Sequence, residues 1–165
     1  MQTFEYSIIS KFFYRYINII ITIFLLLFTI VSLYVSFQKW YFIFLVIFNL
    51  VVIVLLNRSY FYSYKTLPFK ITSDEEKIIC SKFFISKKEV VIFYKDINSI
   101  SGGIFSGIPM RAVYLTDSKG NLISFYSHVG KFNELLKTIL RNVTDEVYNS
   151  QLEKLKKISS LNWKD

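Results

Sequence analysis

Two long runs, residues 16–38 and 40–57, contain no Asp, Glu, Lys or Arg, and only Lys39 separates them. A helix needs roughly 20 apolar residues to cross a hydrocarbon core about 30 Å thick. The absence of charge therefore predicts a two-helix membrane hairpin over residues 16–58, preceded by a short cytoplasmic segment, 1–15. Cysteine is almost lacking too. Cys80 stands alone, which excludes an intramolecular disulfide and suits a reducing compartment. His128 is the single histidine, and one Cys, one His and no carboxylate pair at metal spacing cannot assemble a first-row metal site within one chain. A nucleophilic pairing of Cys80 with His128 is disfavoured because Cys80 lies inside an alternating strand pattern, where a small buried residue is expected. Gly102, Gly103 and Gly107 follow neither G-x-G-x-x-G nor P-loop order. With no acid, base and nucleophile in view, neither an enzymatic activity nor a cofactor is expected.

The first apolar run is too long for the core of a signal peptide and is followed by no small-residue cleavage site, so a retained anchor is expected. Lys11 and Arg15 precede the hairpin and Arg58, Lys65 and Lys70 follow it, against Lys39 alone in the middle. Cations near spans stay preferentially on the cytoplasmic side, which predicts cytoplasmic termini and a multi-pass protein of the bacterial inner membrane. Asn18, Thr22, Thr29, Ser32 and Ser36 recur every three, four or seven positions and so share one stripe of the first helix. Asn49, midway along the second span, is the expected partner for that stripe. Two arrangements remain open: packing within the hairpin, with hydroxyls bonded to their own helix, or packing against further copies in an oligomer. Neither span carries an ionisable group of the kind that lines an ion path.

Beyond residue 65 the period becomes that of strands. Residues 68–72 and 77–83 flank Ser73-Asp74-Glu75-Glu76 as a hairpin; 89–94 and 97–100 follow; 111–116 and 121–126 are joined by Asp117-Ser118-Lys119-Gly120, a turn with the expected Asp and Gly. Five or six antiparallel strands are predicted. Phe132, Leu135, Leu136, Ile139, Leu140 and Val143 then keep helical spacing. A tail over 144–165 reads as a second helix with Val147, Leu152, Leu155, Ile158 and Leu161 on its apolar side, able to dock on the domain, on a partner or on the membrane. The fold class is thus a membrane α-helical hairpin plus an α+β domain over 65–143, a small antiparallel sheet or partial barrel closed by a C-terminal helix.

Three pieces of that domain carry a likeness. Phe69-Lys70-Ile71-Thr72-Ser73-Asp74-Glu75-Glu76-Lys77-Ile78-Ile79, Val91-Ile92-Phe93-Tyr94-Lys95-Asp96-Ile97-Asn98-Ser99-Ile100 and Phe132-Asn133-Glu134-Leu135-Leu136-Lys137-Thr138-Ile139-Leu140 resemble the opening hairpin, the central strand and the closing helix of bacterial pleckstrin-homology-like domains found behind one or two membrane spans. The resemblance implies a non-enzymatic adaptor that binds a protein or a lipid headgroup, and it supplies no ligand residues here. The run is short for a seven-stranded barrel, so the sheet is expected to be open or to take a further strand from 101–109.

On the glycine-rich stretch 101–110 apolar side chains are either tucked into a plain bulged strand connection or reserved for a partner or the bilayer, and in the second case Phe105, Ile108 and Arg111 are the expected contact. Lys and Arg number 20 against 12 Asp and Glu, a net +8. Many of these cations follow the hairpin, alternating with apolar residues as on the solvated face of a sheet, and they would also attract anionic lipid. Most aromatics belong to spans, interfaces and strand cores, so no nucleic-acid partner is expected. The leading function is a membrane-held binding or scaffolding subunit, with membrane lipids and a protein partner or a homo-oligomer as its contacts. The competing class is a regulated membrane effector whose β-domain senses a cytoplasmic ligand and whose spans assemble to perturb the bilayer.

Overall fold

The computed structural model describes residues 1–84, 86–108 and 111–161, excepting the side chains of Ser159 and Leu161. The chain divides into two compact units: Ile9–Tyr64, and Met1–Ile8 together with the chain from Lys65 onward.

The first unit is a helical hairpin. Helix α1 runs Ile8–Ser36 and α2 Ile43–Thr66, with a 3₁₀ turn at Trp40–Phe42 between them. Helix α1 starts and α2 finishes several residues outside the predicted 16–58 limits, taking Lys11, Arg15 and Lys65 into helix. The 29 residues of α1 extend about 44 Å at 1.5 Å per residue, and the 24 of α2 about 36 Å. Each helical segment is long and apolar enough to cross a membrane. Phe24, Leu27, Ile30, Val54 and Leu55 point outward, more than half exposed. Asn18, Thr29, Ser32, Val46 and Asn49 are buried.

The second unit is two antiparallel sheets and two helices. The four-stranded sheet has order β1-β2-β3-β4 and comprises β1 (Gln2–Glu5), β2 (Pro68–Ser73), β3 (Lys77–Phe83) and β4 (Val90–Phe93). A 3₁₀ turn, Tyr94–Asp96, leads into the three-stranded sheet of β5 (Ile97–Gly102), β6 (Val113–Asp117) and β7 (Leu122–Phe125). Helices α3 (Phe132–Asn142) and α4 (Asp145–Leu161) follow. The β2–β3 hairpin forms as expected because Asp74 organises its turn: Oδ1 accepts the N–H groups of Glu76 at 2.9 Å and Lys77 at 2.8 Å. Those two bonds hold the Asp74 carboxyl below the ordinary carboxylate range. In the β6–β7 turn Asp117 does the same for Lys119 and Asn121, and Gly120 takes the positive φ of 79° that closes it.

Among the described residues seven strands form where five or six were expected. The addition is not in the described part of 101–109, where β5 ends at Gly102 and a 3₁₀ turn, Gly103–Ser106, follows. It is β1, inside the segment 1–15 expected to be a plain cytoplasmic lead. Phe4 faces Ile71 across the pair and Glu5 faces Lys70; Phe4 is 1% exposed. Tyr6 continues the attachment, its N–H reaching the Phe69 carbonyl at 3.5 Å and its hydroxyl accepting the Tyr126 N–H at 2.8 Å. The apolar hairpin is therefore an insertion between the first two strands of one sheet.

The core unites Phe4, Phe69, Ile71, Ile78 and Ile92 of the first sheet with Ile97, Ile100, Leu115, Ile123 and Phe125 of the second, and with Leu135 and Ile139 of α3, all buried. Helix α3 thus buries the predicted face. Helix α4 packs on β5 and on the 3₁₀ turn Gly103–Ser106, so the tail docks on the domain. Its inward face differs from the predicted one: Val147 and Gln151 are buried, Leu155 and Ile158 half-buried, and Leu152 exposed. The Leu161 side chain lies outside the described residues.

Candidate functional site

Inside the hairpin the polar stripe of α1 turns towards α2. Thr29 donates to the Leu25 carbonyl at 2.7 Å, Ser32 to Phe28 at 2.8 Å and Ser36 to Leu33 at 2.6 Å. Each hydroxyl satisfies itself on its own helix, so what Thr29 and Ser32 offer α2 is small size and close approach. Within the stripe, Asn18 and Thr22 are the residues bonded across to α2, and the Tyr64 hydroxyl of α2 adds a bond to the Arg15 carbonyl at 2.9 Å. Asn18 Nδ2 donates to Asn57 Oδ1 at 2.9 Å, and Asn57 Nδ2 donates to Thr22 Oγ1 at 3.1 Å and to the Ile53 carbonyl at 2.9 Å. This corrects the expected pairing: Asn57, at the boundary of the second apolar run, holds the stripe in place of Asn49. Asn49 is buried with its Nδ2 unbonded among the described residues.

In the β-domain the glycine-rich stretch is fixed in position. Gly102 has φ 76° and ψ −170°, a region open essentially to glycine. A Cβ placed there would lie 2.1 Å from the Ala112 carbonyl oxygen, so the chain passes β6 too closely for any side chain. This turns Phe105 inward, and at 5% exposure it belongs to the core under α4; Phe105 is not an accessible contact residue. Ile108, 42% exposed, and Arg111, exposed, remain on the surface, with the Arg111 N–H bonded to the Ile108 carbonyl at 3.0 Å. Pro109 and Met110 of the same stretch lie outside the described residues.

Cys80 is buried at the centre of β3, where its surroundings push the thiol pKa up, whereas His128 is exposed in the turn before α3. Among the described residues no three His, Cys, Asp or Glu side chains converge as metal ligands.

Two surface concavities escaped the sequence. An open groove of about 840 Å³ runs past the β2–β3 turn and α3, and Asp74, Glu75, Glu76, Lys137 and Arg141 are among its lining residues. A second, of about 600 Å³, lies in the elbow of α3 and α4 between Leu136, Leu140, Val143 and Tyr148. Both depend on how helices meet the sheets, which residue spacing along one element does not encode.

No family model matches the chain, and neither a curated protein nor a solved structure is similar to it.

Proposed function

We propose that this chain is a non-enzymatic, membrane-anchored binding subunit whose hairpin crosses the bacterial inner membrane and whose β-domain, of pleckstrin-homology-like type, is presented to a protein partner at the cytoplasmic face. The observation that carries this reading is the insertion of the hairpin between β1 and β2. Strands paired in one sheet lie on one side of a bilayer, so a hairpin between them has to return to the side it left. That agrees with the orientation favoured by Lys11, Arg15, Arg58 and Lys65. Two residues separate β1 from α1 and one separates α2 from β2, so the chain enters and leaves the hairpin directly from paired strands. The four-plus-three strand order followed by a helix supports the pleckstrin-homology-like assignment. Ile108 and Arg111 are the contact residues of this reading.

Gentle detergent extraction from the native host, with mass and composition measured on the intact complex, tests it. A membrane partner at fixed stoichiometry, lost from the Ile108→Asp, Arg111→Glu variant, is the expected result. A homogeneous homo-oligomer without a partner would overturn the scaffold and favour the regulated effector.

A further inference from the structure

The elbow of α3 and α4 leaves apolar surface uncovered. Of its lining residues Leu136 and Val143 are buried, but Leu140 is only half-buried and Tyr148 is 42% exposed. Leu152 follows one turn later on the same side of α4 and is 37% exposed. Among the described residues past the hairpin, Val91, Ile108, Tyr148 and Leu152 are the large apolar side chains most open to solvent. Two of these four therefore stand on adjacent turns beside one concavity. Single exposed apolar residues need no partner, whereas a continuous patch at a groove marks a contact surface.

The charges at the patch carry both signs. Lys137 and Arg141, four residues apart on α3, share the face next to Leu136 and Leu140, and Asp145 opens α4. All three are exposed, and among the described residues none is in an ion pair. Asp145 would oppose an anionic membrane surface that the two cations attract. No buried polar atom of the elbow lacks a bond among the described residues, so nothing there calls for a small polar ligand. Cations on one helix, an anion on the other and apolar side chains on both make a surface that carries its own complement. That is what a contact about a two-fold axis requires.

We propose that the elbow pairs with the elbow of a second copy of this chain about a two-fold axis. Leu140, Tyr148 and Leu152 pack on their counterparts, and Lys137 and Arg141 of each copy meet Asp145 of the other. Apolar burial drives the contact, and the exchanged ion pairs fix its register. Copies anchored in one membrane meet at a raised effective concentration, so a patch of modest area suffices; that gain alone rests on the membrane-anchored reading. Ile108 and Arg111 are not among the pairing residues, so the dimer leaves them free for a different protein.

Energy transfer between full-length chains tests the pairing, with donor or acceptor dye at the C-terminus, in phosphatidylcholine vesicles diluted stepwise with lipid. Wild type is expected to associate as a dimer. Tyr148→Ser should weaken association about tenfold or more, as should Asp145→Lys alone and the double variant Lys137→Glu, Arg141→Glu alone. Donor-labelled Asp145→Lys mixed with the acceptor-labelled double variant should recover to within about threefold of wild type, because both exchanged pairs are again opposite in sign. That recovery also shows that the variants fold. A membrane partner found or missing on extraction from the host leaves these outcomes unchanged. Transfer no greater than that of unassociated chains, transfer untouched by the elbow variants but abolished by Asn57→Leu, or weakening without recovery in the mixed pair overturns the proposal.

Discussion

Replacing Phe4 by alanine tests whether β1 is a structural part of the β-domain. Phe4 is 1% exposed, opposite Ile71, on a strand of four residues that pairs with β2. Truncating a buried Phe costs about 3–5 kcal/mol, against a total of about 5–15 kcal/mol for a domain of ordinary stability. Because β1 is short and at a sheet edge, the loss should appear first as local detachment and not as global unfolding. At about 1.4 kcal/mol per factor of ten, the detached population rises by roughly 10² to 5 × 10³. Hydrogen exchange read by mass spectrometry on the full chain in micelles should show peptides from β1 and the facing part of β2 accelerated by that order, with β6 and β7 accelerated less or unchanged. An acceleration of β1 below about tenfold would refute the reasoning, for Phe4 would then not be holding the strand.

Asp117→Asn should destabilise the domain by about 1–3 kcal/mol, because the carboxylate accepts three hydrogen bonds within the β6–β7 turn. Burial alone would raise the Asp117 pKa, but the Asn121 side chain and the Asn121 and Lys119 N–H groups outweigh it and hold it below 3.8. The stability it contributes is therefore fully present above that ordinary value and lost as pH falls through the depressed one, so acid titrations of unfolding should show a shallower acid limb in Asp117→Asn. Gly102→Ala should cost more than about 3 kcal/mol, seen as loss of folded protein or a steep fall in the denaturation midpoint, since it combines a glycine-only conformation with a backbone clash. Asn57→Leu should weaken helix association by about 1–2 kcal/mol in a steric-trap measurement, whereas Thr29→Val should change it little because its hydroxyl bonds its own helix.

The parts of the fold that sequence made legible are those fixed by local pattern. The apolar helices follow from runs without charge, the β2–β3 and β6–β7 hairpins from Asp74, Asp117 and Gly120 in their turns, and α3 from a period held over three turns. What stayed hidden depends on contacts between distant residues. Gln2-Thr3-Phe4-Glu5 has a single apolar residue, and its partner strand begins at Pro68, so nothing local marks it as a strand. Asn57 ends an apolar run and reads as its boundary, although its side chain turns back to Asn18 and Thr22. Phe105 reads as exposed because a glycine-rich stretch suggests a free loop; its burial depends on α4. Gln151 reads as the solvated side of α4, and only the way the helix seats on β5 turns it inward.

The order of strands along the chain also sets the order of events during synthesis. Glu5 and its partner Lys70 are separated by the whole hairpin, and translation at about 5–20 residues per second puts roughly 3–13 s between them. Through that interval β1 is an unpaired strand, while two helices long and apolar enough for a bilayer are being made behind it. The sheet therefore cannot close before the whole hairpin has been made, and until then Phe4 and Tyr6 lack the strand they pack against. Completion of the β-domain therefore waits on synthesis of the whole hairpin, so the first strand made is among the last to find its place.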